Sequence, residues 1–349
     1  MHNVVRKVKG NADIGSKRGT NLEYAICTIC TSDYLPQATA ALLQAAKYGK
    51  NNGLYILVAA HVATNKQNEY LNKHGITVLS LHDFADDPTI QKIVTKYAGD
   101  YLRWALKPSL ILSLLQSYEN VAYIDTDIWF VDKWNFIWSA VKGHDFLVTP
   151  HRRPYNNRYV WTDGVYQAGF VIATKSGTPT VKEWEQMCLW NCKRDFVNGL
   201  FVDQKYLDMI PAICKCKILQ DKGCNVAGWN TASNPPELVN GQIFVDQDPL
   251  TFIHFSPSAE ELPEILHSIR DSYNDSIETQ RRALKTNNAL YIKRVAICVM
   301  DGKKNASLIS NKIVRAEDAE QIIATLKQDY PDQNITCIPV EVTDEHSSE

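Results

Sequence analysis

Unbroken apolar runs alternate with polar segments along the first part of the chain. Three runs, at 24–31 (YAICTICT), 54–60 (LYILVAA) and 76–81 (ITVLSL), predict strands that are buried on both faces. Between the first two lies a segment rich in alanine and leucine that ends near Gly49 or Gly53, which predicts a helix with a glycine stop. Strands and helices that alternate at this spacing predict a parallel sheet with crossover helices.

The alternation continues, less regularly, through the middle of the chain. Residues 100–118 (DYLRWALKPSLILSLLQSY) predict a helix, with Pro108 near a first turn or at a kink. The strand that follows ends at Asp125. Further on, 166–174 (YQAGFVIAT) predicts a strand and 179–196 a helix.

The last part of the chain carries a hydrophobic pattern of its own, after a predicted helix over 260–284. The pattern predicts strand, strand, helix and strand, in IKRVAICVM, SLISNKIV, AEDAEQIIATLKQDY and ITCIPVEV. We therefore expect three parts: a flexible N-terminal arm over 1–22, an α/β domain over 23–285, and a small α+β appendage over 290–343.

The composition of the 349 residues is typical of a soluble globular protein, with 45% hydrophobic and 22% charged side chains. The formal net charge of −2 gives no global reason to expect nucleic acid or an anionic membrane as a partner. We expect no transmembrane segment, because no apolar run is long enough to span a bilayer. We also expect no signal peptide, because the N-terminus (MHNVVRKVKG) is basic and polar.

The cysteines indicate a reducing compartment. Their number, nine, is odd, and several lie inside apolar runs, which predicts reduced thiols and a cytoplasmic protein. Cys27 and Cys30 form a C-x-x-C pattern, but residues three apart on a strand face opposite sides of the sheet. We therefore interpret this pair as core residues rather than metal ligands.

Two carboxylates follow the most hydrophobic strand, in VAYIDTDIWF. Asp125 and Asp127 are two residues apart, so their side chains leave the strand on the same side and can converge on one point. In an open parallel sheet, ligands bind at the carboxyl ends of the strands. Two partly buried like charges are costly unless a cation lies between them, and oxygen ligands suit Mg²⁺ or Mn²⁺. The alternative is a polar turn without a metal, since acid-x-acid is a common tripeptide.

The chain resembles the nucleotide-sugar glycosyltransferases of the GT-A fold, and among them the glycogenin-like retaining family. The resemblance covers residues 24–256 and rests on an ordered series of motifs rather than on any one of them. The motifs are AICTICTSDYLPQATAALLQAAK, YLRWALKPSLIL, AYIDTDIWFVDKW, YQAGFVI, GLFVDQKYLDMIP, CNVAGWN and FIHFS. The resemblance implies an α/β, Rossmann-like domain that binds a nucleotide-diphospho-sugar.

The resemblance also implies a role for each residue at a matching position. Asp125, Asp127 and His254 become the ligands of Mn²⁺ or Mg²⁺. Asp203 and Gln204 lie beside the anomeric carbon of the donor sugar and become the catalytic pair. The residues that meet the nucleotide, the diphosphate, the donor sugar or the acceptor are Thr31, Tyr34, Arg103, Lys107, Gln167 and Asn225.

Several of these residues have simpler alternatives. His254 could be a hydrogen-bonded core histidine, Lys107 a solvated helix residue, and Asp203 the N-cap of the short helix predicted in QKYLDM. The chain also departs from the family after the histidine. It reads HFSPSAEEL, without the lysine that clamps the diphosphate in that family.

The resulting prediction is a metal-dependent glycosyltransferase, a hexosyl- or pentosyltransferase, that uses a nucleotide sugar, most simply a UDP-sugar. The resemblance implies retention of the anomeric configuration. A nucleotidyltransferase is one alternative, although SDYLPQ after the first strand lacks the glycine- and lysine-rich loop over a triphosphate. A non-catalytic nucleotide-sugar binder is another. The acceptor stays open among protein, glycan, lipid and nucleic acid.

Overall fold

The computed structural model describes residues 22–59, 63–154, 157–256 and 262–285, together with the backbone of three later strands, 294–301, 305–315 and 335–340. Contacts within the chain divide it into two compact units, Met1–Lys285 and Thr286–Glu349. The predicted N-terminal arm lies almost entirely outside the described residues. The domain boundaries that we expect from the sequence stay predictions.

The strands of the first unit are numbered in chain order. They are β1 Leu22–Cys30, β2 Gly53–Val58, β3 Ile76–Ser80, β4 Tyr118–Ile124, β5 Ile128–Phe130, β6 Phe146–Pro150, β7 Tyr166–Thr174, β8 Arg194–Asp195, β9 Leu200–Phe201, β10 Cys216–Ile218, β11 Pro236–Val239, β12 Gln242–Val245, β13 Asp248–Pro249 and β14 Phe252–His254.

The helices of this unit are numbered in the same way. They are α1 Leu35–Tyr48, α2 Asn65–Lys73, α3 Pro88–Lys96, α4 Gly99–Ala105, α5 Lys107–Leu114, α6 Asn135–Val141, α7 Tyr159–Asp163, α8 Thr178–Trp190, α9 Ile210–Ile213, α10 Gly228–Thr231 and α11 His267–Ala283. Short 3₁₀ helices cover Ser32–Tyr34, Leu81–Phe84, Lys175–Gly177, Phe196–Asn198, Lys205–Met209 and Glu264–Leu266.

The centre of the first unit is a mostly parallel sheet. Within the described residues it has seven strands, in the order β10-β6-β7-β4-β1-β2-β3. Strand β7 runs antiparallel to both of its neighbours, whereas the other pairs are parallel. This arrangement confirms the predicted α/β class with a central sheet, as the GT-A resemblance implies.

The core covers both faces of this sheet. Residues Cys27 and Cys30 of β1 are fully buried and belong to different clusters, one on each face. Both thiols are free, and burial raises their pKa. The prediction that they are core residues is therefore confirmed.

The helix predicted over 100–118 is instead two helices, α4 and α5, which meet at Leu106. The reason is Pro108, which lies in the first turn of α5 and cannot donate a backbone hydrogen bond to the preceding turn. The helix predicted over 179–196 ends earlier, at Trp190, and strand β8 begins at Arg194.

The described part of the second unit is a small sheet. Its described strands are β15 Arg294–Asp301, β16 Asn305–Arg315 and β17 Ile335–Val340, with β15 between the other two and both pairings antiparallel. The three strands agree with the sequence pattern. The helix predicted at 316–330 lies outside the described residues.

Among the described helices, none is both long enough and apolar enough to cross a membrane.

Candidate functional site

The strand order reverses between β1 and β4, which places a crevice at the carboxyl ends of these two strands. From β1 the chain proceeds to β2 and β3 on one side, and β4 then pairs with β1 on the other side. Ligands of open α/β sheets bind at such a switch point. Thr31 and Asp125 are the residues that directly follow β1 and β4.

Three predicted metal ligands meet at this crevice. Asp125, Asp127 and His254 each offer one ligand atom, and these atoms lie within 4.8 Å of one another. His254 comes from β14, which pairs antiparallel with β5 so that His254 lies opposite Ile128. The backbone amide of Phe255 then donates to the carbonyl oxygen of Asp127 at 2.8 Å. Strand β14, which begins 124 residues after β5 begins, thus brings the imidazole to the carboxylates.

The side chain of Lys107 lies behind the carboxylates and is almost fully buried. Its Nζ is 3.2 Å from an oxygen of Asp125 and 3.2 Å from an oxygen of Asp203. It also donates to the carbonyl oxygen of Ala168 at 3.2 Å. Burial alone would lower the pKa of Lys107, but the two carboxylates raise it above its ordinary value. The alternative of a solvated helix residue is therefore wrong for Lys107.

The site has more negative than positive charge. Burial raises the pKa of Asp203 to about 6, Lys107 opposes this rise, and Asp125 adds to it. Burial would also raise the pKa of Asp127, but His254, 3.2 Å away, holds it below its ordinary value. With Asp125, Asp127 and Asp203 ionised and Lys107 protonated, these four groups carry a formal charge of −2, which one divalent cation balances.

Several buried polar atoms of the predicted site residues have no hydrogen-bond partner among the described residues, among them Gln167 Nε2, Asn225 Oδ1 and His254 Nδ1. Asp127 Oδ1 and Asp203 Oδ2 also lack a hydrogen bond, but each lies 3.2 Å from a basic group, His254 Nε2 and Lys107 Nζ respectively. Buried polar atoms are normally paired, so a group of orphans in one place needs an explanation. An amide donor, an amide acceptor and an imidazole nitrogen match a metal ion together with a ligand rich in hydroxyl groups.

The predicted pair Asp203 and Gln204 is anchored from both sides. Trp184 Nε1 donates to the backbone carbonyl of Asp203 at 2.9 Å. Gln204 Oε1 accepts from the amide of Ala168 at 3.2 Å, and its Nε2 donates to the carbonyl of Asp163 at 2.9 Å. The carboxylate of Asp203 caps no helix, because Gln204 is the residue before the 3₁₀ helix and its side chain makes no cap bond. The N-cap alternative for Asp203 is therefore wrong.

The residues predicted to hold the nucleotide lie on the β1 side of the crevice. Tyr34 is 41% exposed, and the guanidinium of Arg103 lies 5.2 Å from the centre of its ring. Arg103 also pairs with Asp100. The side chain of Thr31 is buried and donates to Asp33, so Thr31 shapes the loop rather than facing solvent.

A cavity of about 620 Å³ is lined both by Tyr34, which is predicted to hold the nucleotide, and by Asp127, a predicted metal ligand. Tyr34, Thr126 and Asp127 lie on one side of it, and Tyr273 and Ile277 of α11 lie on the other. Tyr273 also donates to the carbonyl of Thr126 at 3.3 Å. The sequence did not indicate this role for α11, because nothing in a helix pattern shows what the helix packs against. Residues 257–261, which carry part of the departure from the family, lie outside the described residues.

Gly169 is a site residue that the sequence motif did not single out. A Cβ at this position would lie 2.5 Å from Gln167 Oε1, 2.9 Å from His254 Cε1 and 3.0 Å from Asp125 Oδ2. The backbone of β7 therefore passes directly beside the metal ligands, and only glycine leaves them room. A glycine inside an otherwise apolar strand is the signal that could have found it.

We expect Gly169→Ala to weaken Mn²⁺ binding by at least about 10-fold, as loss of ligand orientation does in metal sites. The added methyl group must displace His254 or Asp125 or shift the strand. Isothermal titration with Mn²⁺ measures the affinity, and circular dichroism checks that the fold is intact. Wild-type affinity in a folded Gly169→Ala protein would show that these side chains do not bind the metal.

His151 forms part of the wall behind the metal ligands. Its carbonyl accepts from Trp229 Nε1 at 2.9 Å, and the Trp229 ring lies 5.0 Å from that of His254. The Nδ1 atom of His151 is 3.1 Å from the carbonyl oxygen of Gly164, which fits an Nδ1–H donor. Burial, reinforced by the charge of Arg153, lowers the pKa of His151 to about 3. The ring is therefore neutral in the folded protein.

Because His151 is neutral in the folded protein, we expect the folded state to lose stability in acid. In the unfolded chain a histidine has a pKa of about 6.5, so between that pH and about 3 only the unfolded state takes up the proton. The free energy of unfolding should therefore fall as the pH falls through this window, by up to about 1.4 kcal/mol per pH unit. Denaturant titrations at pH 7, 6 and 5 should show a shallower fall in His151→Asn, whose amide can still donate to Gly164. Equal slopes in both proteins would contradict the assignment.

Comparisons with known proteins identify distant relatives. No protein-family model matches the chain. The uncharacterized protein YfnD of Bacillus subtilis (strain 168) is 27% identical over 190 residues, which is 52% of this chain and 61% of YfnD. The uncharacterized protein YfnF of the same organism is 24% identical over 249 residues, which is 66% of this chain and 80% of YfnF. The chain therefore covers less than two thirds of YfnD.

Two solved structures are similar in their overall arrangement. Mouse xyloside xylosyltransferase 1, in its apo form, has a TM-score of 0.46 and 11% identity, over 70% of this chain and 100% of that chain. The glycosyltransferase GlyE of Streptococcus pneumoniae TIGR4 has a TM-score of 0.48 and 14% identity, over 76% of this chain and 63% of that chain. Both TM-scores are below 0.5, so neither likeness decides what this chain does.

Proposed function

We propose that this chain is a metal-dependent glycosyltransferase that takes a sugar from a nucleotide-sugar donor, a UDP-sugar. The observation that carries the proposal is the meeting of Asp125, Asp127 and His254 at the switch point of the sheet, within 4.8 Å of one another. The buried Gln167 Nε2 and Asn225 Oδ1 have no hydrogen-bond partner among the described residues and suit the hydroxyl groups of a sugar.

The ligand set fits a Mn²⁺ or Mg²⁺ ion. Two carboxylates and one imidazole are hard or borderline donors, and the imidazole favours Mn²⁺ over Mg²⁺. Such an ion, when bound, neutralises the diphosphate of the donor and stabilises it as a leaving group. Lys107 holds Asp125 in place from behind, because its Nζ lies 3.2 Å from one oxygen of that carboxylate and 3.4 Å from the other.

The other predicted residues divide the donor between them. Tyr34, with Arg103 over its ring, offers a flat surface for the nucleobase at the mouth of the crevice. Gln167 supplies a buried donor and Asn225 a buried acceptor for the donor sugar. Asn225 adopts a left-handed backbone conformation, with φ of 60°, a strained conformation of the kind that clusters at functional sites.

Asp203 is the residue that we assign to the chemical step. When the bond from the anomeric carbon to the diphosphate breaks, the diphosphate keeps the electron pair and the sugar ring becomes positive. A nearby carboxylate stabilises that charge more in the transition state than in the bound donor. Retention of configuration is proposed from the glycogenin-like resemblance alone. An inverting enzyme would instead use Asp203 as a general base toward the acceptor.

A thermal-shift panel tests the proposal, because a ligand that binds only the native state raises the melting temperature. The panel comprises UDP-, GDP- and CDP-sugars and nucleoside triphosphates, each with Mn²⁺ or with EDTA. We expect a UDP-sugar to raise the melting temperature in Mn²⁺ and not in EDTA. A response only to triphosphates would favour a nucleotidyltransferase. No response to any nucleotide sugar would overturn the proposal.

A further inference from the structure

A short hairpin presents apolar side chains to solvent. Strands β8 and β9 are joined by the 3₁₀ helix Phe196–Asn198. Val197 at its tip is 97% exposed and Phe196 is 54% exposed. Trp190, at the end of the preceding helix α8, is 61% exposed. Large apolar side chains are rarely left in water side by side without a use.

The tip is held in this conformation by its own hydrogen bonds. Asp195 Oδ1 accepts from the backbone amide of Asn198 at 3.2 Å, and Asp195 Oδ2 accepts from Asn198 Nδ2 at 2.8 Å. Asn191 Nδ2 donates to the same oxygen at 3.3 Å. Gly199 closes the turn in a left-handed conformation, with φ of 68°. Phe196 and Val197 are therefore presented by a built turn rather than by a loose loop.

Basic side chains surround these apolar groups. Lys96, Lys193 and Arg194 are all exposed, and within the described part of the chain no carboxylate forms an ion pair with any of them. Arg194 lies over the rings of Trp104 and Phe201, at 5.6 and 5.5 Å, which holds its charge beside the hairpin. Asp195 is the one acid in the hairpin sequence 194–201, and both of its carboxylate oxygens accept hydrogen bonds from Asn198.

We propose that this hairpin docks the protein on a lipid surface that carries anionic head groups. Apolar side chains at a projecting tip can enter the boundary between head groups and acyl chains, while the lysine and arginine charges meet anionic lipids. A stable protein partner, or a second copy of the chain, would need about 800 Å² on each side, which a tip of a few side chains does not offer. The proposal does not depend on sugar transfer.

Vesicle flotation tests the docking with the full chain. The vesicles are phosphatidylcholine alone, or phosphatidylcholine with phosphatidylglycerol. We expect the protein to float with the anionic vesicles and much less with the neutral ones. The double variant Phe196→Ser, Val197→Ser should lose at least about 10-fold in partitioning. Val197→Asp, at a position that is 97% exposed, should lose binding as well while circular dichroism shows an intact fold.

A matched control comes from another exposed apolar pair, Leu238 and Val239 on β11, which are 62% and 46% exposed. The double variant Leu238→Ser, Val239→Ser should bind the anionic vesicles as the wild type does. Equal loss in both double variants, or no binding by the wild type, would overturn the proposal. So would a hairpin variant that changes only the oligomeric state in gel filtration. UDP binding in Mn²⁺, measured on the same samples, reports separately on the proposed function.

Discussion

Replacing Asp127 by asparagine should abolish turnover of the donor and weaken Mn²⁺ binding by more than about 10-fold, the loss that removal of even a hydrogen-bond partner of a ligand causes. The amide keeps the shape of the side chain but removes one of the three ligands that lie within 4.8 Å of one another. The fold should survive, because the backbone carbonyl of Asp127 still accepts from Phe255.

The matched control for this prediction is Asp132→Asn. Asp132 follows the same strand motif, but its side chain accepts from the backbone of Lys133 and from Gln242 and does not belong to the metal-ligand cluster. It should bind Mn²⁺ and turn over donor as the wild type does. Isothermal titration and a turnover assay on both variants separate a local ligand effect from a general effect of lost charge. Turnover by Asp127→Asn at the wild-type rate would contradict the metal site.

Replacing Asp203 by asparagine should lower kcat by at least about 10²-fold while donor binding is kept. The carboxylate is almost fully buried, and one of its oxygens is 3.2 Å from Lys107 Nζ. Lys107 retains Asp125 as a partner in the variant, so the lysine is not left unpaired. A loss in kcat without a loss in donor affinity identifies a group that acts mainly in the transition state.

Asp208→Asn is the control for Asp203. Asp208 lies in the same segment but pairs with Lys205 and accepts from the backbone of Val165. Its replacement should change kcat little. Proton NMR of the first product then gives the anomeric form. A β-linked product from an α-linked donor would refute retention, and an Asp203→Asn enzyme with wild-type kcat would remove Asp203 from the chemistry.

The sequence predicts those parts of the structure that depend on short-range pattern. The i, i+2 spacing of Asp125 and Asp127 after an apolar strand is sufficient to place both carboxylates at one sheet end, because strand side chains alternate. The same rule predicts that Cys27 and Cys30 lie on opposite faces of the sheet, as they do. His254 could be named only through the family resemblance, because its approach to Asp127 depends on how β14 pairs with β5.

Features that depend on contacts between distant segments could not be predicted. The helix break at Leu106 leaves Lys107 between the carboxylates of Asp125 and Asp203. These residues follow it by 18 and 96 positions in the sequence. The closeness of Gly169 to His254, and the wall that Tyr273 forms beside Thr126, arise in the same way. No local periodicity encodes which side chains meet across a crevice, so these residues become visible only in three dimensions.

The central claim is that this chain moves a sugar from a nucleotide donor by means of a metal held by Asp125, Asp127 and His254. The most direct test is the initial rate of nucleotide release from the donor that the thermal-shift panel selects. It is measured in Mn²⁺, then in excess EDTA, and again after Mn²⁺ is restored. We predict release in Mn²⁺, none in EDTA, and recovery when the metal returns. Release at the same rate in EDTA, or no release by a folded protein that binds the donor, would contradict the account.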